Sequence, residues 1–387
     1  MSSAKASARS AVPTGTLDAL RSERLLVLGL VSGVLFLVFG KTWLADLTNT
    51  AWGLFLFIWL LAAILASAFG VVRHADCLAI KLGEPYGTLI LTLSVIGMEV
   101  LMVAAVMLSG TPDPAMARDT MFAVVMIVLN LLLGVALLVG GWKHREQQYN
   151  LQGAVSFLSV LVPLAAAGLI LPYYTAATAT PLLVKVRAAA LVVTTVALYA
   201  AFLAIQTKRH PEHYNELSGK KLSDEAAEVN EHADWVIRSL SFHLVFLILY
   251  LLPVVVLSKQ LAILLEYGAN RLGAPQALSG VIVAILILCP EGVSGIRAAL
   301  GNRLQRSVNL LFGAALSTIA LTVPAVVCIS LITRRPIELG LTPVNQILLL
   351  VTLIVSILTC ATGRTNVLNG LIHLVLFVAY FILIFGG

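Results

Sequence analysis

Residues 283–300 read VAILILCPEGVSGIRAAL. An acidic residue, Glu291, stands inside one of the most apolar parts of the chain, and a helix breaker, Pro290, comes just before it. The surroundings decide what this stretch is. The chain has 387 residues, 59% of them hydrophobic and 11% charged, and a mean hydropathy of +0.98. A water-soluble protein of that size has too little interior to hide so large an apolar fraction. The apolar runs are continuous and about 20 residues long, as a bilayer-spanning helix requires, and do not alternate as in an outer-membrane barrel. The fold class is therefore an all-α polytopic membrane protein, with the lipid bilayer as its first partner.

The pattern predicts eleven spans, at about 25–40, 52–71, 86–108, 119–140, 153–172, 187–206, 236–257, 277–298, 307–332, 344–361 and 366–385. The first is short, and 260–267 reads as a possible interfacial segment. The net charge of +6 belongs to Lys and Arg on loops. No basic tract interleaved with aromatics points to nucleic acid. Four cysteines (Cys77, Cys289, Cys328, Cys360) form no CxxC, so neither a disulfide nor a metal site is implied. With the N-terminus inside, about 17 of the 25 Lys and Arg fall on cytoplasmic segments. The C-terminus then lies outside.

A charged stretch at 206–235 splits the chain into five spans before it and five after it, with the first span left over. An odd number of spans per half gives the halves opposite orientations, which is the arithmetic of an inverted repeat. The expected organisation is a cytoplasmic tail (1–24), an extra first span (25–45), one five-helix repeat (46–206), a charged cytoplasmic linker (207–235) and a second five-helix repeat (236–387). The linker holds Glu212, Glu216, Asp224, Glu225, Glu228, Glu231 and Asp234 with His210, His213 and His232. It reads as a solvated connection, with cation or pH sensing as the sharper alternative.

The second span of each half carries an acid near its middle: Glu99 in SVIGMEVLM (94–102) and Glu291 in ILCPEGVSG (287–295). At about 1.5 Å per residue both lie well inside a hydrocarbon core about 30 Å thick. A charged carboxylate there costs several kcal/mol, and the sequence offers no mid-span Lys or Arg to pair with either. Two such acids at matching positions point to a hard oxygen site for protons and for Ca²⁺, Na⁺ or K⁺. Pro290 has no N–H, so the carbonyl of Leu286 loses its helical donor and a bound cation is one replacement. Asn130 in the fourth span, Ser317 and Thr318 in the ninth, and Ser94 in the third are candidates to line the same site. Glu84 reads as an ordinary first-turn residue. Asn366, Asn369 and His373 share a helical face in the last span, as helix–helix glue or as a proton relay.

The strings KLGEPYGTLILTLSVIGMEV (81–100), CPEGVSGIRAAL (289–300), LFGAALSTIALTVP (311–324) and TGRTNVLNGLIHL (362–374) closely resemble bacterial ChaA-type calcium/proton antiporters. These belong to the calcium/cation antiporter superfamily, near the cation/proton exchangers, and the resemblance runs over roughly 25–385. It implies eleven spans, two inverted repeats, an acidic connection, no cofactor, a bacterial inner membrane, and exchange of Ca²⁺, Na⁺ or K⁺ for protons. It also implies that Glu99 and Glu291 are the cation- and proton-binding acids. Asn130 falls where the family's first repeat has an Asn, and Thr318 where calcium-specific relatives often carry Gln. GGWKHREQQYN (140–150) looks like the family's link between spans four and five. The Gly-Asn that usually precedes each Glu is absent, so side-chain oxygens around the ion are fewer.

The reading is a secondary antiporter that exports Ca²⁺, and Na⁺ or K⁺, against protons by alternating access. A monovalent-selective Na⁺(K⁺)/H⁺ antiporter is the near alternative. A channel lacks stoichiometric proton coupling. A membrane-embedded carboxylate/metal hydrolase needs a nucleophile or an oriented water, and the chain has no intramembrane Asp pair, HExxH or GxSxG. The sequence leaves the dominant cation and the oligomeric state open.

Overall fold

The structure, a computed structural model, describes residues 23–83, 86–108, 113–176, 181–215 and 237–386. The N-terminal tail to residue 22, Glu84 and the linker acids from Glu216 to Asp234, with His232, lie outside the described residues. Eleven helices are long and apolar enough to cross a membrane. They are α1 Arg24–Trp43, α2 Thr50–Leu82, α3 Tyr86–Met107, α4 Met116–His144, α5 Leu151–Thr175 and α6 Leu182–Arg209. The second half holds α7 Leu240–Leu272, α8 Ala277–Leu300, α9 Leu304–Thr333, α10 Pro343–Cys360 and α11 Val367–Gly386. Each expected span finds its helix.

Three boundaries differ from expectation. The first span is a full 20-residue helix. The second does not end near 71, and 260–267 is no separate segment: α2 and α7 each run unbroken for 33 residues. The apolar face simply continues, through Val71, Ala75 and Leu78 in α2 and Leu257, Leu261 and Leu265 in α7, all buried. Each helix stops only at a glycine with positive φ, Gly83 (65°) and Gly273 (62°), a conformation that other residues adopt at a cost.

The two halves run in opposite directions. α2 and α7, the first helices of each half, pack along one another. His74, near the end of α2, meets His243, near the start of α7, while Arg271 at the end of α7 donates to the carbonyls of Leu47 and Thr48, just before α2. The pair is therefore antiparallel. Partner exchange follows the same symmetry: α4 packs on α8 and α11 of the other half, and α9 packs on α3 and α6.

The loops sort onto two faces. On one, Arg73 pairs with Glu23, Lys81 donates to the Arg238 carbonyl, and Lys143 donates to the Leu300 carbonyl. The same face holds the one departure from an all-helical chain among the described residues, a two-stranded antiparallel pair of β1 (Gln147–Gln148) and β2 (Arg364–Thr365). On the other face, Trp52 Nε1 donates to the Trp43 carbonyl and the Leu341 N–H to the Leu169 carbonyl. Large apolar side chains such as Val34, Leu37, Leu182, Val193, Val375 and Ile382 are exposed, as lipid-facing positions should be.

Close approach of α4 and α11 depends on glycine. A Cβ at Gly370 would stand 2.7 Å from the Gly134 carbonyl oxygen and 2.5 Å from the Leu138 nitrogen, and backbone cannot yield as a side chain can. Gly370→Val should destabilise by about 1–3 kcal/mol through overpacking. A lower unfolding temperature and less monodisperse protein in detergent are the readouts; native-like melting would contradict the tight approach.

Glu23, just before α1, is a second anchor. Burial disfavours its ionisation, but the His74 hydrogen bond, the Arg73 guanidinium and the Tyr250 hydroxyl outweigh burial and hold the carboxyl at about 2, below the ordinary 4.5. The unfolded chain therefore takes up this proton first as pH falls. The stabilisation is complete above about pH 4.5 and is lost as pH drops toward about 2. Glu23→Gln should flatten the acid-side fall of melting temperature below about pH 5, and an unchanged fall would show that other groups cause it.

Candidate cation site

α3 and α8 bring Glu99 and Glu291 to the middle of the bundle, at nearly equal distances from their starts at Tyr86 and Ala277. α4 and α9, the helices that follow them, pack against the opposite half. Each has a π-helical turn at its centre, Ile127–Leu132 in α4 and Thr318–Thr322 in α9. A widened turn offsets the backbone register and recurs at functional sites. In α9 it directly precedes Val323 and Pro324, where the proline cannot donate to the preceding turn.

Thr318 opens that π turn, and its Oγ1 donates to Glu99 Oε2 at 3.0 Å. Glu99 is only 3% exposed. Its other oxygen, Oε1, is buried with no hydrogen bond to a described residue, and the Thr322 hydroxyl, one turn further on, lies close to the same carboxylate. Glu291 is partly exposed and its carboxylate makes no hydrogen bond to a described residue. The charges felt at Glu291 are both negative: Glu99 and Asp76. The two glutamates thus lie near enough to repel, one sealed and half-satisfied, the other bare.

Asp76 was not anticipated, because the second span was expected to end before it. The signal was present in the sequence: Val71, Ala75 and Leu78 keep the helical apolar period past residue 71, so Asp76 had to ride on a continuing helix.

The other expected residues divide. Ser94 Oγ donates to the Ile90 carbonyl (2.6 Å) and Ser317 Oγ to the Ala314 carbonyl (3.0 Å), so both hydroxyls bond back to their own helices. Pro290 and Leu286 are buried, and α8 remains one continuous helix through the proline. Asn130 does not join either glutamate. Its Nδ2 donates to Thr352 Oγ1 of α10 at 2.9 Å, and its Oδ1 faces His373 Nδ1 of α11 at 3.4 Å. His373 Nε2 is 3.0 Å from Thr359 Oγ1. Both ring nitrogens are thus occupied, and this thread ties α4 to α10 and α11 as glue between helices.

Asn366 and Asn369 are not part of that thread. Asn366 Oδ1 accepts from the Leu368 and Asn369 N–H groups, and Asn369 Oδ1 accepts from the Asn366 N–H. They form a reciprocal cap at the start of α11, where free backbone N–H groups need acceptors. Of the linker residues, His210, Glu212 and His213 are described; their ligand atoms lie within 4.8 Å of one another in a short exposed turn after α6.

Eleven apolar helices in two halves that run in opposite directions form the fold of a membrane cation transporter. The chain belongs to the sodium/calcium exchanger protein family, whose pattern matches residues 52–208 and 242–386, once in each half. It is 41% identical over 330 residues to the sodium-potassium/proton antiporter ChaA of Escherichia coli (strain K12), covering 84% of this chain and 87% of that protein. It is 23% identical to a Ca²⁺/H⁺ antiporter of Synechocystis sp. (strain ATCC 27184 / PCC 6803 / Kazusa), over 64% of this chain and 69% of that one. Among solved structures, native YfkE superposes with a TM-score of 0.71 at 18% identity, covering 93% of this chain and 99% of that chain. The H⁺/Ca²⁺ exchanger CAX follows at 0.62 and 14%, over 95% and 89%. At those identities the likeness is one of fold.

A hydrophobic carbodiimide attacks protonated carboxyls in apolar surroundings. It should modify Glu291 well before Glu99, which is sealed and held by Thr318, and Thr318→Val should speed modification of Glu99 several-fold. Peptide mass spectrometry reads both rates; equal rates in the native protein would contradict the difference in exposure.

Proposed function

We infer that this chain is a secondary cation/proton antiporter, a transporter and not an enzyme, with Glu99 and Glu291 as its exchange site. One observation carries the site: Glu99 Oε1 is buried and makes no hydrogen bond to a described residue, and α8, which packs on α3, carries a second mid-helix carboxylate, Glu291. In an apolar interior such a pair is satisfied by a cation when both acids are ionised, or by protons when they are not. The two occupants compete for the same oxygens, and that competition is the coupling. Thr318 holds Glu99 Oε2 and leaves Oε1 free for either occupant. The carbonyl of Leu286, deprived of a donor by Pro290, is a further oxygen close in sequence to Glu291.

The transported ions in this reading are Na⁺ or K⁺, and Ca²⁺. The 41% identical relative carries sodium and potassium in its name, and the more distant ones carry Ca²⁺. Neutral side-chain oxygens at the glutamates are few, which favours ions that demand few ligands. The cytoplasmic face is the one that gathers Arg73, Lys81, Lys143 and Arg238, following the positive-inside rule. The N-terminus is then cytoplasmic and, after eleven spans, the C-terminus periplasmic, in a bacterial inner membrane. The two repeats are 46–206 and 236–387, related by opposite insertion, and alternating access moves the two sets of helices about the carboxylates.

Glu99→Gln and Glu291→Gln keep the shape and remove the charge. In proteoliposomes bearing a pH gradient, Na⁺, K⁺ or Ca²⁺ should collapse the gradient with the native protein and not with either variant. Exchange at the native rate in either variant would sink the two-carboxylate mechanism.

A further inference from the structure

Away from the carboxylates, five polar side chains are packed together where the start of α1, the end of α2 and the start of α7 meet. They are Glu23, Arg73, His74, His243 and Tyr250, and His74 and His243 are 1% and 3% exposed. The cation exchange described above uses none of them.

The hydrogen bond from Arg238 fixes the His243 proton, and the contact between the two rings carries the assignment on to His74. The Arg238 backbone N–H donates to His243 Nε2 at 2.9 Å, so that nitrogen carries no proton. The His243 proton is therefore on Nδ1, which lies 2.9 Å from His74 Nδ1. His74 Nδ1 is then the acceptor, and its own proton sits on Nε2, 3.4 Å from Glu23 Oε2 and also 3.1 Å from Arg73 Nη2, a second donor that competes for the same carboxylate. The same carboxylate oxygen takes the Arg73 guanidinium and the Tyr250 hydroxyl, the latter at 2.9 Å. Lys81 Nζ holds the Arg238 carbonyl at 2.7 Å, and the Arg238 guanidinium lies over the Phe242 ring. The thread runs from Arg238 through α7 and α2 to Glu23 just before α1. It closes only with both histidines neutral.

We propose that the His74–His243 pair is a second proton-binding site, separate from the exchange carboxylates, whose protonation unclasps the start of α7 and Arg238 just before it from α2 and thereby slows exchange. An added proton has two places to go. On His243 Nε2 it expels the Arg238 N–H; on His74 Nδ1 it breaks the bond between the rings. Either way it adds a positive charge to a group that already holds Arg73, Lys81 and Arg238. Among the described residues, Glu23 is the acid in hydrogen-bond contact with the pair, and it is already engaged by Arg73, His74 and Tyr250. Asp76 and Cys77 follow on the next turn of α2. Of the other elements packed here, α1 carries Arg24 and Lys41, α3 carries Tyr86 and Glu99, and α8 carries Cys289, Glu291 and Arg297. The site faces the side assigned above to the cytoplasm, so cytoplasmic acid opens it; this sidedness and the transport readout rest on the antiporter reading.

The test uses full-length protein in liposomes, with K⁺-driven exchange measured against pH on the tail side. His74→Asn keeps an acceptor for the His243 N–H, and His243→Gln keeps one for the Arg238 N–H; each removes a proton site. Both variants should keep the maximal rate and hold it to lower pH, moving the acid limb down by about one pH unit. An acid limb that stays in place or moves up overturns the proposal. Hydrogen exchange of residues 237–246, corrected for intrinsic rates, gives a reading independent of transport. It should rise several-fold from pH 8 to pH 6 in the native protein and stay flat in His243→Gln, and an equal rise in both overturns the proposal. Native protein that exchanges no cation at any pH would sink the antiporter reading instead, and the hydrogen-exchange arm then decides the clasp alone.

Discussion

Two carboxylates in the apolar centre of a bundle cannot both remain ionised without help. Each charge costs about 2.5–3.5 kcal/mol on insertion-based scales, and more on others, before the repulsion between them is added. That constraint organises the rest of the structure. The cost falls when a proton sits on an acid or when a cation bridges both, and among the described residues no Lys or Arg reaches the glutamates. In the proposed reading the cargo itself completes the centre.

The surrounding helices hold this arrangement by close approach, not by apolar affinity, because lipid tails are as apolar as leucine. Gly370 lets α11 lie against the α4 backbone, and the antiparallel α2–α7 pair is fastened by polar contacts at both ends. The symmetry between the halves is real in direction and partner choice but not in chemistry. Thr318 gives Glu99 a hydroxyl, whereas on the opposite side Asn130 turns to Thr352 and His373 and leaves Glu291 without a comparable donor.

Much of this was legible in the order of residues. Long apolar runs announced the helices, the odd number of spans in each half announced their opposition, and Glu99 and Glu291 stood out because acids are rare at that depth. Less legible was where helices end. The span rule stops counting at bilayer thickness, while α2 and α7 go on as long as an apolar face has something to cover, and so Asp76 and His74 escaped notice as parts of the bundle. Asn366, Asn369 and His373 share a face by spacing, but spacing does not say that the first two cap a helix end and the third joins two other helices.

Composition and periodicity by themselves determined that the chain crosses a bilayer eleven times and carries two acids at mid-span depth, because both depend only on local transfer free energies and on counting. Tertiary structure alone decided which side chain reaches which carboxylate, that Asn130 turns away, and that two histidines far apart in the chain close one buried thread. Those are matters of rotation about helix axes and of packing between segments, which nothing local in the chain encodes.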